Sequence, residues 1–325
     1  MVRRGFVDAV AAERIITDWD AELEVLVSLA GQAADPDVAL AGLSRLSEVS
    51  PQLLGQLAAT PRWARQLIMV LGASASLGQH LIAHPEHVDV LNAELSRTPP
   101  EQLRAQLLTA VGAEHDIAPV ATDLSGNGLR LAYRRALLRI AARDLTAPEP
   151  IEIFDDIAGE LSDLADATLG AALAIARAKL GADARDCRLA VIGLGKCGAQ
   201  ELNYVSDVDV LFVAEPRIDE SGQPLITSDR AITVATRMAA EMTRICSAHT
   251  AAGTIWEVDA ALRPEGKAGQ LVRSLSSHRI YYEKWARTWE FQAMLKARPS
   301  AGDLELGRDF VEMISPTPRW ARRWP

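Results

Sequence analysis

The sequence predicts a mostly helical α+β protein: a helical N-terminal region followed by a unit built on a small mixed sheet. Two observations carry this expectation. Aromatic residues make up only 5% of the chain while alanine and leucine are plentiful, a composition that favours helices. Apolar, β-branched runs are confined to CRLAVIG (187–193), DVDVLFV (207–213) and GTIWEVDAAL (253–262). At 325 residues and 49% hydrophobic, the chain is long enough for two domains with a sizeable core.

Up to about residue 111 the pattern is helical and punctuated by breakers. In DPDVALAGLSRLSEVSP, Val38, Leu40, Leu43 and Leu46 fall on one face and Pro51 marks the end. PRWARQLIMVLGASASLGQHLIAHPEHVDVLNAEL reads as further short helices, RTPPEQ (97–102) as a turn, and LSGNGLR (124–130) as a break. A helix over 129–145 follows, its arginines at 130, 134, 135, 139 and 143 spread over a wide arc that reads as a solvated face. The next begins near PEPIEIFDD and runs to Leu180, with Ile157, Leu161, Leu164, Thr168 and Ala172 at helical spacing. Beyond the first two strands come a helix over 228–249, capped by Ser228 and Asp229, then the third strand and a last long helix over 276–298. The expected domains are 1–123, helical; 124–314, carrying the strands; and a tail, 315–325.

The formal charge of −9 argues against bulk nucleic acid, whose binders present basic domains. Cys187, Cys197 and Cys246 are far apart and in no metal-ligand spacing, so they read as buried thiols of a reducing compartment. The N-terminus lacks a signal-peptide core, and no run approaches the roughly 20 apolar residues of a membrane span. A cytoplasmic location without membrane contact is expected.

The chemistry concentrates in VIGLGKCGAQELNYVSDVDVLFVAE (191–215). Its Gly193-x-Gly195-x-x-Gly198, with Glu215 about twenty residues on, has the outline of a dinucleotide-binding fingerprint. That reading needs a crossover helix after the glycines, and the eight residues between Gly198 and Asp207 are too few for a βαβ unit. Asp207 and Asp209, two apart in a strand, point to one side and repel unless a cation sits between them. Such a pair beside a phosphate-gripping turn suits a Mg2+ site for nucleotidyl transfer. For the pair alone, a turn residue and a salt-bridge partner are an equal reading. WEVDAALRP supplies a third carboxylate, Asp259, with Glu257 on the same strand face, and Arg263 and Lys267 follow in a turn suited to neutralising phosphate. Turn, Asp-x-Asp strand, helix and Asp strand, in that order, form the plan of polymerase-β-like nucleotidyltransferases.

Three blocks sharpen this plan. GLGKCGAQELNYVSDVDVLFV, EVDAALRPEGKAGQLV and WARTWEFQAMLKAR resemble, in order, blocks of the glutamine synthetase adenylyltransferase/deadenylyltransferase family, and RRALLRIAARDL and LSDLADATLGAAL resemble its upstream helices. Family members carry two nucleotidyltransferase halves, and this chain resembles one. Glu201-Leu202-Asn203 before the Ser-Asp-x-Asp and the helical region ahead of it resemble the N-terminal, adenylyl-removing half. The resemblance implies Asp207, Asp209 and Asp259 as ligands of Mg2+, with Mn2+ as the alternative. It implies Gly195, Lys196 and Gly198 as the phosphate turn with Ser206 beside it, and Glu257 as an ordering residue. It further implies phosphate, adenine nucleotide and glutamine synthetase as reactants, and a PII-type signal protein as a regulatory partner. The ending SPTPRWARRWP departs from the family's continuation, so a shortened chain is expected, and a non-catalytic regulatory fragment is the alternative.

Two further groups are weighed. His80, His84 and His87 have helix-like metal spacing, but Pro85 interrupts it, which favours a polar helix end. Trp285 and Trp289, four apart, read as core packing more than as a base-stacking surface.

Overall fold

The computed structural model of the protein describes residues 1–17, 19–114 and 118–315, so all of the tail beyond Ser315 lies outside the described residues. The chain divides into two compact units, each drawn from two segments: Met1–Arg97 with Arg134–Ile157, and Thr98–Tyr133 with Ala158 onward. The expected boundary near residue 123 falls inside the second unit.

The first unit is helical: α1 (Ala9–Ile16), α2 (Glu24–Ala30), α3 (Pro36–Val49), α4 (Leu53–Ala59), α5 (Pro61–Ala73) and α6 (Ala75–Ala83). Asp35 starts α3 by accepting from the Val38 amide at 3.0 Å, with Pro36 in the first turn where its missing N–H costs nothing. The buried stripe of α3 is Ala39, Leu40, Leu43 and Leu46; Val38 belongs to the exposed side, because a residue in the first turn sits a position off that stripe. α6 ends before Pro85, and a 3-10 turn over Pro85–Leu91 brings the three histidines together. His80 Nε2 and His87 Nδ1 share a hydrogen bond of 2.9 Å, and His84 Nδ1 meets Glu86 Oε1 at 3.2 Å.

The second unit begins with α7 (Pro100–Ala110) and takes in the first turns of α8 (Asn127–Leu145) and most of α9 (Phe154–Leu180). The arginines of α8 do not form a uniform solvated face. Arg130 is buried and donates to the carbonyls of Gly126 and Ile245, while Arg143, in the first unit, is held by Asp156 at 2.5 Å. Next come β1 (Cys187–Gly193), α10 (Gly195–Ala199), β2 (Asp207–Pro216) and α11 (Ser228–Ser247). After these come β3 (Glu257–Asp259), β4 (Val272–Arg273), α12 (Leu275–Lys284), α13 (Thr288–Met294), β5 (Arg298–Gly302) and α14 (Leu304–Ile314). The cap of α11 is Thr227, whose hydroxyl accepts from the Arg230 amide, one residue before the expected Ser228.

The sheet is mixed, in the order β3-β2-β1-β5, with β4 also pairing β2. β1 runs antiparallel to β2 and to β5, whereas β3 and β4 run parallel to β2. The antiparallel β1–β2 pair excludes a βαβ crossover at the glycine turn. One face of the sheet, Ala190, Ile192, Leu211 and Val213, forms a core with Tyr282, Met294, Leu306 and Phe310. The other packs on the buried stripe of α11, including Val234, Met238 and Met242.

The single helix expected over 276–298 is two helices and the start of β5. The break falls at Trp285 and Arg287, where Glu290 Oε2 accepts from the Arg287 amide at 2.8 Å and opens a new helix. The two tryptophans lie outside the core, Trp285 70% and Trp289 49% exposed. The third strand is shorter than expected, since only Glu257–Asp259 finds a partner. All three cysteines are free and buried, and burial pushes their thiols up to about 12, so they stay unreactive. Among the described residues no helix is long and apolar enough to cross a membrane.

Two histidines give the fold a pH signature. His80 is pushed down to about 4 by burial first and then by His87, His84 and Arg134, with Glu86 opposing. His278, whose Nε2 donates to the Phe212 carbonyl, is also pushed down to about 4, chiefly by burial. Both are neutral in the fold and gain protons on unfolding below the ordinary histidine pKa of about 6.5. Their contribution is therefore complete above that value and is lost as pH falls toward 4. Between pH 7 and pH 5 each is expected to cost about 2 kcal/mol of stability. Urea titrations at the two pH values should show the loss, and His80→Gln and His278→Gln should each reduce it. An equal pH dependence in the variants would contradict it.

Candidate active site

The sheet assembles the site by register. β2 and β3 pair in parallel with Asp207 opposite Glu257, Val208 opposite Val258, and Asp209 opposite Asp259. Because side chains alternate along a strand, the two valines are buried on one face and the four carboxylates share the other. Cross-strand partners on one face stand roughly 5 Å apart at Cβ, where like charges repel. The Asp209 carboxyl accordingly lies above the usual carboxylate range, through burial first and then through Asp207 and Asp259, with Lys196 pulling the other way.

The glycine turn closes on this row. The Leu194 amide donates to the Asp209 carbonyl at 2.9 Å, which ties the turn to β2. Gly195 has φ +51, and a Cβ there would run into the Asp209 carboxylate. At Gly198 a Cβ would strike the carbonyls of Lys296 and Gly193. The glycine spacing therefore serves close approach to a carboxylate and to neighbouring backbone. Lys196 projects from α10 into solvent, and the Ser206 hydroxyl is buried without a hydrogen-bond partner just before Asp207.

Glu215, the acid of the dinucleotide outline, sits at the far end of β2, where its Oε1 accepts from the Leu275 amide at the start of α12. Arg263 organises the loop after β3: its guanidinium donates to the carbonyls of Ala260, Lys267 and Gly269 at 2.8 to 3.1 Å. Lys267 lies exposed in that loop. Glu265 and Gly266 both adopt left-handed backbone, at φ 65 and 60, and turn the chain back.

Several residues that hold the site were not singled out from the sequence. Arg298, at the start of β5, donates to the carbonyls of Gly198 and Cys197 at the C-terminal end of α10 and pairs with Asp166 of α9. Burial pushes the Asp166 carboxyl up to about 6, against the pull of Arg298. Asp163 accepts from Gln200 at 3.1 Å, and the Ser162 hydroxyl accepts from the Leu202 amide at 3.3 Å. A second chain runs from the Glu265 amide to the Tyr281 hydroxyl, which donates to buried Glu290 at 2.7 Å. Buried polar residues at helical spacing in α9 were the available clue.

The side chains that share this strand face are carboxylates, the ligand type a hard divalent cation takes, and burial, then the neighbouring Asp207 and Asp259, raises Asp209. The carboxylates stand in a row across two strands, and Asp259 Oδ1 accepts from the Ala261 amide at 2.7 Å. Among the described residues, no group of three or more His, Cys, Asp or Glu side chains is placed so that it could hold a metal ion. Asp207, Asp209 and Asp259 stand in that row without forming such a group, with Glu257 next to them.

A family model described as glutamate-ammonia ligase adenylyltransferase matches residues 64–313. The chain is 50% identical over 305 residues to the bifunctional glutamine synthetase adenylyltransferase/adenylyl-removing enzyme of Cutibacterium acnes, covering 93% of this chain and 30% of that protein. It is 48% identical over 330 residues to the protein of the same name from Streptomyces avermitilis, covering 97% and 31%. Against that of Mycobacterium avium it is 43% identical over 327 residues, covering 97% and 30%. The chain thus spans just under a third of the length of these relatives. With a family model matched over most of its length, this chain belongs to the glutamate-ammonia ligase adenylyltransferase family.

Proposed function

We propose that this chain is the adenylyl-removing nucleotidyltransferase half of such an enzyme. It takes adenylyl-tyrosine on glutamine synthetase and inorganic phosphate, and releases ADP and the free tyrosine. The observation that carries the reading is the pairing of Asp209 with Asp259 beside Gly195. A phosphate oxygen attacks the α-phosphorus of the adenylyl group, the bond from phosphorus to the tyrosine oxygen breaks, and the tyrosine takes up a proton. Phosphate already carries a nucleophilic oxygen, so positioning and charge neutralisation dominate and no strong general base is required. Bound Mg2+ or Mn2+ would supply the positive charge that aligns phosphate oxygens and stabilises the leaving oxygen.

The chain's own side chains divide the rest of the work. Asp207, Asp209 and Asp259 would hold the cation. Lys196 brings positive charge to the substrate phosphates beside Asp209, and Lys267 approaches from the loop that Arg263 shapes. Ser206 offers a free hydroxyl next to the carboxylate row. The regulatory alternative is binding to glutamine synthetase or a PII-type signal protein without turnover.

The direct test incubates the purified chain with adenylylated glutamine synthetase, phosphate and Mg2+ and follows ADP. Turnover is the expected result; binding without ADP would favour the regulatory reading. Asp209→Asn should lower kcat by roughly a thousandfold or more, as loss of a principal charge-stabilising group does. Its thermal stability should be equal or higher, because a like charge leaves the row. Unchanged kcat would remove Asp209 from the mechanism.

Gly195→Ala probes the close approach instead. It should cost about 1 kcal/mol in stability through the positive φ. It should cost roughly a hundredfold in kcat through displacement of Asp209. Full activity in that variant would show that the approach of turn to carboxylate is dispensable.

A further inference from the structure

The second unit holds another concentration of charge, of the opposite sign and away from the carboxylates. A cavity of about 590 Å³ is lined by Arg177, Arg185 and Arg217, with Val120, Thr122 and Leu124 on its apolar side. Arg177 comes from the last turn of α9, Arg185 from just before β1, and Arg217 from just after β2. The antiparallel register pairs Cys187 with Pro216 at this end of the ladder and Gly193 with Val210 at the other. The cavity and the glycine turn are thus separated by the length of β1, roughly 20 Å at 3.3 Å per residue.

The guanidinium groups here lack what such groups ordinarily have. Arg177 is only 5% exposed, and its Nε, like that of Arg217, is buried without a hydrogen-bond acceptor. Burial, and next the charge of Arg217, pull Arg177 down to about 10. The carboxylate that acts on it from nearby is Asp303, and both Asp303 oxygens are taken by Arg188 at 2.7 and 3.0 Å. A buried, unpaired guanidinium is costly, and proteins keep such charges where an anion neutralises them. The wall opposite is anchored: the Ala121 amide donates to the Ala174 carbonyl of α9 at 3.2 Å, and the Thr122 hydroxyl to the Gly112 carbonyl.

We propose that this cavity is a binding site for a small anion carrying two or more negative charges, a phosphorylated compound or a dicarboxylate. Arg177, Arg185 and Arg217 grip the charges, and Val120 and Leu124 cover the carbon skeleton. Guanidinium forks suit both carboxylate and phosphate oxygens. The cavity volume lies within the range of small-molecule sites. Occupancy here does not depend on phosphorolysis at the carboxylate row.

Calorimetric titration of the whole chain with inorganic pyrophosphate and, separately, with glutarate tests the site without added divalent metal. Binding of at least one probe with a millimolar or tighter Kd is expected, and the stronger probe identifies the anion as phosphorylated or dicarboxylic. Arg217→Gln and Arg177→Gln should each weaken it by about tenfold or more, the usual result of truncating a buried charge partner. Arg185→Gln, at an exposed position that tolerates replacement, should weaken it in the same direction. Asp209→Asn should leave the affinity unchanged. No binding of either probe to the wild-type chain would overturn the proposal. So would undiminished binding in folded Arg185→Gln and Arg217→Gln, or loss of binding in Asp209→Asn alone.

Discussion

The parallel pairing of β2 with β3 is the constraint on which the rest of the second unit depends. It sets Asp209 beside Asp259 and Asp207 beside Glu257, an arrangement that repels itself and that backbone hydrogen bonding and buried valines must impose. Val208 and Val258 supply the apolar side of that bargain, since slipping the register by one residue would bury carboxylates and expose valines. β4 joins β2 on the same edge further along, at Phe212 and Val213, so the chain between β3 and β4 loops out next to the carboxylates. Arg263 ties that loop through three of its carbonyls.

Around this ribbon the fold spends charge on rigidity. Arg298 fastens the carbonyl end of the short helix after the glycine turn, and Asp166 holds Arg298 in place. A half-buried pair of this kind adds little net stability over an apolar substitute. Its value is positional: it sets where the glycine turn meets Asp209. Tyr281 and Glu290 do the same for the loop after β3, which fixes the break between α12 and α13 as well as the loop itself.

Much of this was legible in the sequence, and the reasons differ by residue. Alternation put Asp207 and Asp209 on one face, and the order of strands brought Asp259 and Glu257 to a neighbouring one. Non-local pairing was harder to see. β4 is two residues long and β5 begins with Arg-Pro, so neither has a pattern, and both become strands only because β2 and β1 offer open edges. Burial was misjudged where local periodicity competes with tertiary context: Arg130 proved internal, Val38 external, and the two tryptophans exposed. The Arg298–Asp166 clamp joins residues more than a hundred positions apart, and composition holds no trace of it.

The central claim is that the row of carboxylates across β2 and β3 is a cation site, and Mn2+ binding measured by electron paramagnetic resonance tests it most directly. The account predicts saturable binding to the wild-type chain, lost in Asp259→Asn while the circular dichroism spectrum is unchanged. Mn2+ binding of equal strength in Asp259→Asn, or none in the wild type, would contradict it.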